Sequence, residues 1–167
     1  RTNLSTSPHA DMHDVVFDPV NTSRVYLCTD GGVYRTNDIN AGTVAWTAIN
    51  SGLRIAQFYA AFGVSTVTAN RFVGGLQDNG VWAYNGSSWS KEMNGDGGPC
   101  IIVPGNDLVV FGSNDARSVS RSTGGITGSY SGSLGSWAFV ADDRTAFMAP
   151  IAISKSNTQV LYAASDN

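Results

Sequence analysis

Residues 24–35 read RVYLCTDGGVYR. Val25 to Thr29 is a short run rich in apolar and β-branched residues, Asp30 to Gly32 is a turn, and Val33 to Arg35 begins a second such run. Asp-Gly and Asn-Gly pairs favour the positive backbone angles of tight hairpin turns, so the stretch reads as two antiparallel strands joined by a hairpin. The same pattern returns as RFVGGLQDNGVWA at 71–83, LVVFGSNDARSVSR at 108–121 and QVLYAASDN at 159–167. The marker residues Asp30, Asp78, Asp115 and Asp166 lie 48, 37 and 51 positions apart. That spacing brackets the roughly 40–50 residues of a four-stranded propeller blade and is too long for leucine-rich or ankyrin repeats.

The residues between the markers repeat in a fixed order. Ahead of each hairpin comes an apolar strand that ends in a turn: Asp14 to Asp18 before PVNTS, Gln57 to Ser65 before TVTAN, Pro99 to Val103 before PGND, and Pro150 to Ile153 before SKSNT. A turn-rich stretch and a tryptophan strand follow three of them, at Trp46 to Ile49, Trp89 to Met93 and Trp137 to Val140. Four strands per period make a blade. The expected fold is therefore all-β, a partial β-propeller of three four-stranded blades plus the first two strands of a fourth, at roughly 11–50, 55–94, 98–141 and 149–167. A ring needs at least four blades, each burying its faces on its neighbours. Two partners could complete it: the remainder of a longer parent propeller or a second copy of the chain. The residues before His9 resemble the tail of a preceding blade.

Composition agrees with strands and turns. Gly, Ser, Thr and Asn supply 64 of the 167 residues, and Glu92 is the single glutamate beside twelve aspartates, a balance that serves turns rather than helices. Net charge is −3, so the chain lacks the basic footprint of a nucleic-acid-binding protein, and no apolar run reaches the roughly 20 residues of a membrane-spanning helix. Cys28 and Cys100 stand 72 positions apart with no CxxC spacing, leaving open two buried thiols or one disulfide.

The runs HADMHDVVFDPVNTSRVYLCTDGGVYRT, GLQDNG and NGDGG resemble the sortilin-like and sialidase-like propellers built from Asp-box repeats, a superfamily that includes two-propeller xyloglucan-hydrolysing endoglucanases. Thr36, Asp38, Gly42, Thr43 and Trp46 keep the order of the box in the first blade, with additional residues before Gly42 and Trp46. The resemblance implies an extracellular, cell-surface or periplasmic protein. It also implies a catalytic base at Asp30, the aspartate of TDGGVYR, if the parent is a glycoside hydrolase. Such chemistry requires a second carboxyl across the sugar. Those endoglucanases take their two acids from different propellers, and Asp96 in NGDGG is what this chain offers; hydrolysis by the chain alone is not the expected activity.

Antiparallel order decides which residues share an end of the blades. Loops leading into first strands and hairpins between second and third strands lie on one face of the disc. That face collects His9, Asp11, His13, Asp30, Gln77, Asp78, Asp96, Asn114 and Asp115, the expected ligand-binding residues for a carbohydrate or protein. His9, Asp11 and His13 alternate, so an extended Pro8 to Val15 would point all three one way. Two chemistries fit that triplet: a divalent metal site, or a hydrogen-bonded network that pins the loop. No other cofactor is expected. Three functions stay open: a ligand-binding arc, a fragment of a glycoside hydrolase acting on β-glucan or xyloglucan-like polysaccharide, and a structural adhesin or assembly scaffold.

Overall fold

A computed structural model describes residues 3–4, 7–53, 56–59, 61–114, 118–130, 132–136 and 147–164. The chain is all-β and built of propeller-type blades. Among the described residues there is no helix, and hence none long and apolar enough to cross a membrane. The chain divides into two compact units, residues 1–55 and 56–167.

The first unit holds β1 (Asn3–Leu4), β2 (Met12–Phe17), β3 (Val25–Thr29), β4 (Gly32–Thr36), β5 (Thr43–Val44) and β6 (Thr47–Ala48). Four of these form a blade in the order β2-β3-β4-β6, antiparallel throughout, while β1 and β5 make a short parallel pair. Cross-strand partners Val15–Leu27–Tyr34 and Phe17–Val25–Thr36 define one face of the sheet. Val25, Leu27 and Thr29 are buried while Tyr26 and Cys28 between them are half-buried, the period-two alternation of a strand.

The second unit contains two further four-stranded antiparallel sheets and a hairpin. The first sheet is formed by β7 (Gly63–Val64), β8 (Phe72–Leu76), β9 (Gly80–Tyr84) and β10 (Trp89–Met93). The second is formed by β11 (Gly97–Val103), β12 (Asn106–Asn114), β13 (Ser118–Ser122) and β14 (Gly132–Ser136), and the hairpin by β15 (Ile151–Ile153) and β16 (Leu161–Ala163). Each sheet runs up and down in chain order, so successive sheets stack by faces. Val73, Val81 and Ala83 of one sheet bury Cys100, Ile102 and Val110 of the next, with Ile126, Met93 and Tyr130 closing the outer side. Its opposite face, with Val103, Phe111 and Val119, takes Ile151, Ile153 and Leu161 of the hairpin. Each fully buried valine here contributes about 1.5–3 kcal/mol relative to an exposed one.

The repeat extends to individual turns. Between first and second strands, the Asp18 carboxylate accepts from the amides of Val20 and Asn21 at 2.9 and 3.0 Å, and the Asp18 amide donates to the Arg24 carbonyl. Ser65 takes the same place in the next blade, its hydroxyl accepting from Val67 and Thr68 and its amide donating to the Arg71 carbonyl. Ser154 repeats it, accepting from Asn157 and donating to Val160. A short polar side chain that replaces a missing backbone partner is what the motif needs, and Asp and Ser supply it equally.

Two expected strands differ. The first strand of the second blade is Gly63–Val64 rather than the whole of Gln57 to Ser65, because Phe58 and Phe62 lie over Gly74, whose missing side chain leaves room for both rings. The fourth strand of the third blade is Gly132–Ser136, ahead of the expected Trp137 to Val140, which lies outside the described residues. Asp115 and Asp166 also lie outside them.

Candidate functional site at the hairpin ends of the blades

In the first unit the β3–β4 turn is only Asp30 and Gly31, since Thr29 pairs with Gly32. The Thr29 hydroxyl donates to the Gly32 carbonyl and accepts from the Gly31 amide, both at 3.1 Å. Gly32 has φ of +108°, open to glycine. Each glycine also makes room for a side chain. A Cβ on Gly31 would stand 2.5 Å from the Cβ of His9, and one on Gly32 would stand 2.3 Å from Oδ1 of Asn50. The DGG sequence thus admits His9 on one side and Asn50 on the other.

Asn50 is the residue that sequence reading missed. Its Oδ1 accepts from the Val33 amide at 2.7 Å and its Nδ2 donates to the Gly31 carbonyl at 3.0 Å. Asn-Ser-Gly at 50–52 reads only as a turn, with nothing to indicate that its amide reaches back across the blade.

Asp30 carries the site. Its carboxylate Oδ1 pairs with Nε2 of His13, and its backbone amide donates to the Asp11 carbonyl at 3.3 Å. Carboxylate oxygens of Asp11 and Asp30 lie within 4.8 Å of each other. The side chains of His13 and Asp30 are 62% and 32% exposed. His9 donates from Nδ1 to the Ala10 carbonyl at 3.1 Å. Among the described residues His9, Asp11 and His13 do not form a group whose ligand atoms lie within one metal ion's reach, so the side chains that the alternation was expected to bring together do not converge as that triplet. Asp11 has φ of +56°, β2 begins only at Met12, and the register shifts between Met12 and Asp14. The chain therefore folds at Asp11 instead of running extended from Pro8.

In the second unit the corresponding β8–β9 turn is one residue longer, with Gln77, Asp78 and Asn79 between the paired Leu76 and Gly80. Positive φ falls on Asp78 at +63° and Gly80 at +82° and not on Asn79, so the turn is not the two-residue Asn-Gly hairpin that the sequence suggests. The Asn79 carbonyl accepts from the Trp82 indole at 2.9 Å. The NGDGG loop meets this turn: Oδ1 of Asp96 accepts from the Asp78 amide at 2.8 Å. Asn114 joins from the end of β12, its Nδ2 donating to the Asn94 carbonyl at 2.7 Å. Gln77 is exposed at the tip, where its carbonyl accepts from the Asn79 side chain. Asp78, Asp96 and Asn114 are therefore brought together in this unit, while in the other His9, Asp11 and His13 each meet the Asp30 turn.

A glycine seam allows this approach. A Cβ on Gly75 would sit 2.2 Å from backbone atoms of Gly97 and Gly98, and one on Gly97 would sit 2.2 Å from the Gly80 carbonyl oxygen. Backbone touches backbone between β8 and β11, directly beneath the loop that carries Asp96. At the opposite end the same two sheets are joined by Asp107, whose Oδ1 accepts from the Ser65 hydroxyl at 2.5 Å and whose Oδ2 lies 3.8 Å from Arg71. Burial pushes the Asp107 carboxyl up, but hydrogen bonds from Ser65 and Thr68 and the Arg71 charge outweigh it and hold the group below the ordinary range. Both cysteines are free thiols.

Comparison with known proteins adds one structural likeness. No protein-family model matches the chain, and no curated protein matches it. The crystal structure of an ancestral GH74 enzyme is similar at 17% identity and a TM-score of 0.44, over 92% of this chain and 22% of that enzyme. The chain thus spans about a fifth of its length.

Proposed function

We propose that the chain is a ligand-binding arc of an Asp-box propeller that works outside the cytoplasm, at the cell surface or in the periplasm, and that it takes carbohydrate at the hairpin ends of its blades. The observation that carries this reading is the His13–Asp30 pair. A carboxylate held by an imidazole yet left open to solvent is suited to grip sugar hydroxyls, since a carboxylate accepts two or more hydrogen bonds in fixed directions. Asp78, Asp96 and Asn114 offer the second unit's polar groups for the same work, with Gln77 at the tip of its turn.

The test is affinity electrophoresis of the 167-residue chain through gels containing xyloglucan or mixed-linkage β-glucan. Retardation is expected, with loss of it in Asp30→Asn and in His13→Ala while thermal melting stays unchanged. Equal mobility of wild type and both variants in every gel overturns the carbohydrate reading and leaves a protein ligand or a scaffold.

A second reading rests on the same carboxylate. In a parent glycoside hydrolase, Asp30 would serve as the base that its TDGGVYR setting implies, held in position by His13. Release of reducing ends from xyloglucan by the parent, abolished by Asp30→Asn, supports it; release that survives the substitution ends it.

A further inference from the structure

Three Asn-Gly pairs stand in the second unit, at Asn79-Gly80, Asn85-Gly86 and Asn94-Gly95, and the fold treats them differently. An asparagine ahead of glycine carries the means to modify itself. The glycine nitrogen attacks Cγ of the asparagine, a C–N bond forms while the Cγ–Nδ2 bond breaks, and ammonia leaves with the proton that the glycine amide gave up. Water then opens the five-membered succinimide. Attack at Cγ gives aspartate, attack at the main-chain carbonyl carbon gives isoaspartate, and nothing is oxidised or reduced. Two conditions set the rate: the side chain must swing onto the next nitrogen, and that nitrogen must lose its proton, which places negative charge on the carbonyl oxygen of the same peptide.

Two of the pairs fail the first condition. Asn85 is exposed, yet its Oδ1 accepts from the Ser87 amide, the Ser87 hydroxyl and the Ser88 amide at 2.9, 2.8 and 3.0 Å, so its side chain is tied away. Asn79 is half-buried, its Nδ2 donates to the Gln77 carbonyl, and Gly80 is already paired with Leu76 in the β8–β9 ladder. Asn94 meets both conditions. It is exposed, and its side chain makes no hydrogen bond among the described residues. Its main-chain carbonyl, in contrast, accepts from Nδ2 of Asn114 at 2.7 Å. A donor fixed on that oxygen stabilises the charge that builds there when Gly95 loses its proton, as an oxyanion hole does. Glycine is required beside it, since φ at Gly95 is +82° and a Cβ there would stand 2.6 Å from Oδ1 of Asn114.

We propose that Asn94 is a self-modifying site of the folded protein, converted by water to aspartate and isoaspartate, with the Asn114 amide stabilising the reacting peptide. The product alters the candidate site. Isoaspartate carries the main chain through its side-chain carbons, which adds a methylene to the loop two residues before Asp96 and leaves a carboxylate where the Asn94 carbonyl was. Lengthening there releases the Asp96 carboxylate from the Asp78 amide, which it holds at 2.8 Å. The chemistry is independent of what the hairpin ends bind.

Peptide mapping with electron-transfer fragmentation, which tells isoaspartate from aspartate, follows the 167-residue chain through days in mildly alkaline buffer. Asn94 should convert at least about tenfold faster than Asn79 and Asn85, the factor that about 1.4 kcal/mol of barrier supplies. In denaturant the three rates should converge, since each asparagine is followed by the same residue. Asn114→Ala should slow the conversion of Asn94, and Asn114→Val takes its place if the alanine variant does not fold by circular dichroism. Amide exchange at Asp78 should be faster in aged protein than in fresh. The proposal is overturned by a folded Asn79 or Asn85 that converts as fast as Asn94, by an Asn94 that is slower folded than in denaturant, or by undiminished conversion in the Asn114 variants. Unchanged exchange at Asp78 once residue 94 is isoaspartate overturns it equally.

Discussion

Replacing Gly75 by alanine tests the glycine seam on which the second half of the candidate site is built. The added Cβ would meet the Gly97 carbonyl carbon and the Gly98 oxygen at 2.2 Å and the Gly97 oxygen at 2.4 Å. Ordinary van der Waals contact begins near 3.4 Å. All three atoms are backbone, so no rotamer relieves the overlap and β8 must draw away from β11 by about 1 Å, a gap that forfeits a quarter to a half of each dispersion contact across it. Those contacts include Val73 and Val81 against Cys100 and Ile102. Overpacking of this kind costs about 1–3 kcal/mol, and backbone against backbone places Gly75→Ala at the upper end. At about 2–4 °C per kcal/mol for a chain of this size, the Tm should fall by roughly 6–12 °C. Gly42→Ala is the control: no heavy atom lies within 4 Å of its Cβ and its φ is not positive, so the change should be neutral or stabilise by about 0.4–1 kcal/mol through the unfolded chain. Both melts can be followed by calorimetry. A Gly75→Ala protein that melts within about 2 °C of wild type would refute the reasoning.

Asn50→Ala removes two hydrogen bonds from the Asp30 hairpin and should cost about 1–3 kcal/mol, seen as faster amide exchange at Val33; unchanged exchange there would show that the clamp is idle. The Cys100 thiol, pushed up to about 12 by burial, stays protonated at pH 8, so a thiol reagent should modify the half-buried Cys28 first and both only in denaturant. Equal rapid modification of both thiols, or none under non-reducing conditions even in denaturant, would contradict this. Asp107 is held below its unfolded value, so its contribution to stability is full above about pH 4 and drains away as pH falls through the folded pKa. Asp107→Asn should flatten the acid limb of a Tm–pH curve, and an identical limb in the variant would count against the Ser65–Arg71 network.

The alternation of apolar strands with Asp-Gly, Asn-Gly and Asx-type turns made the blades legible, because hairpin chemistry is local and period two assigns faces residue by residue. Tertiary contacts were less accessible. Gly31, Gly32 and Gly75 look alike in sequence, but one admits a histidine, one an asparagine, and one a neighbouring backbone. Asp11 bends out of the strand that its spacing suggested, because a residue of positive φ interrupts alternation without changing composition. Antiparallel order placed His13 and Asp30 on one rim, since a first strand's beginning and a second strand's end meet there, but not their side-chain pairing; the Asn50 clamp joins the same turn from beyond the fourth strand and had no such signal.

That clamp has a consequence for the order in which the site comes into being. The Asp30 turn is held by His9 and Asp11, which precede the innermost strand, and by Asn50, which follows the outermost one. During synthesis the hairpin can close once Arg35 has left the ribosome, but its carboxylate reaches its final bearing only after residue 50 emerges and the blade's last strand docks. A nascent chain arrested before that point would display a strand pair whose Asp30 turn lacks its Asn50 clamp, so the finished geometry of that turn reports completion of the blade.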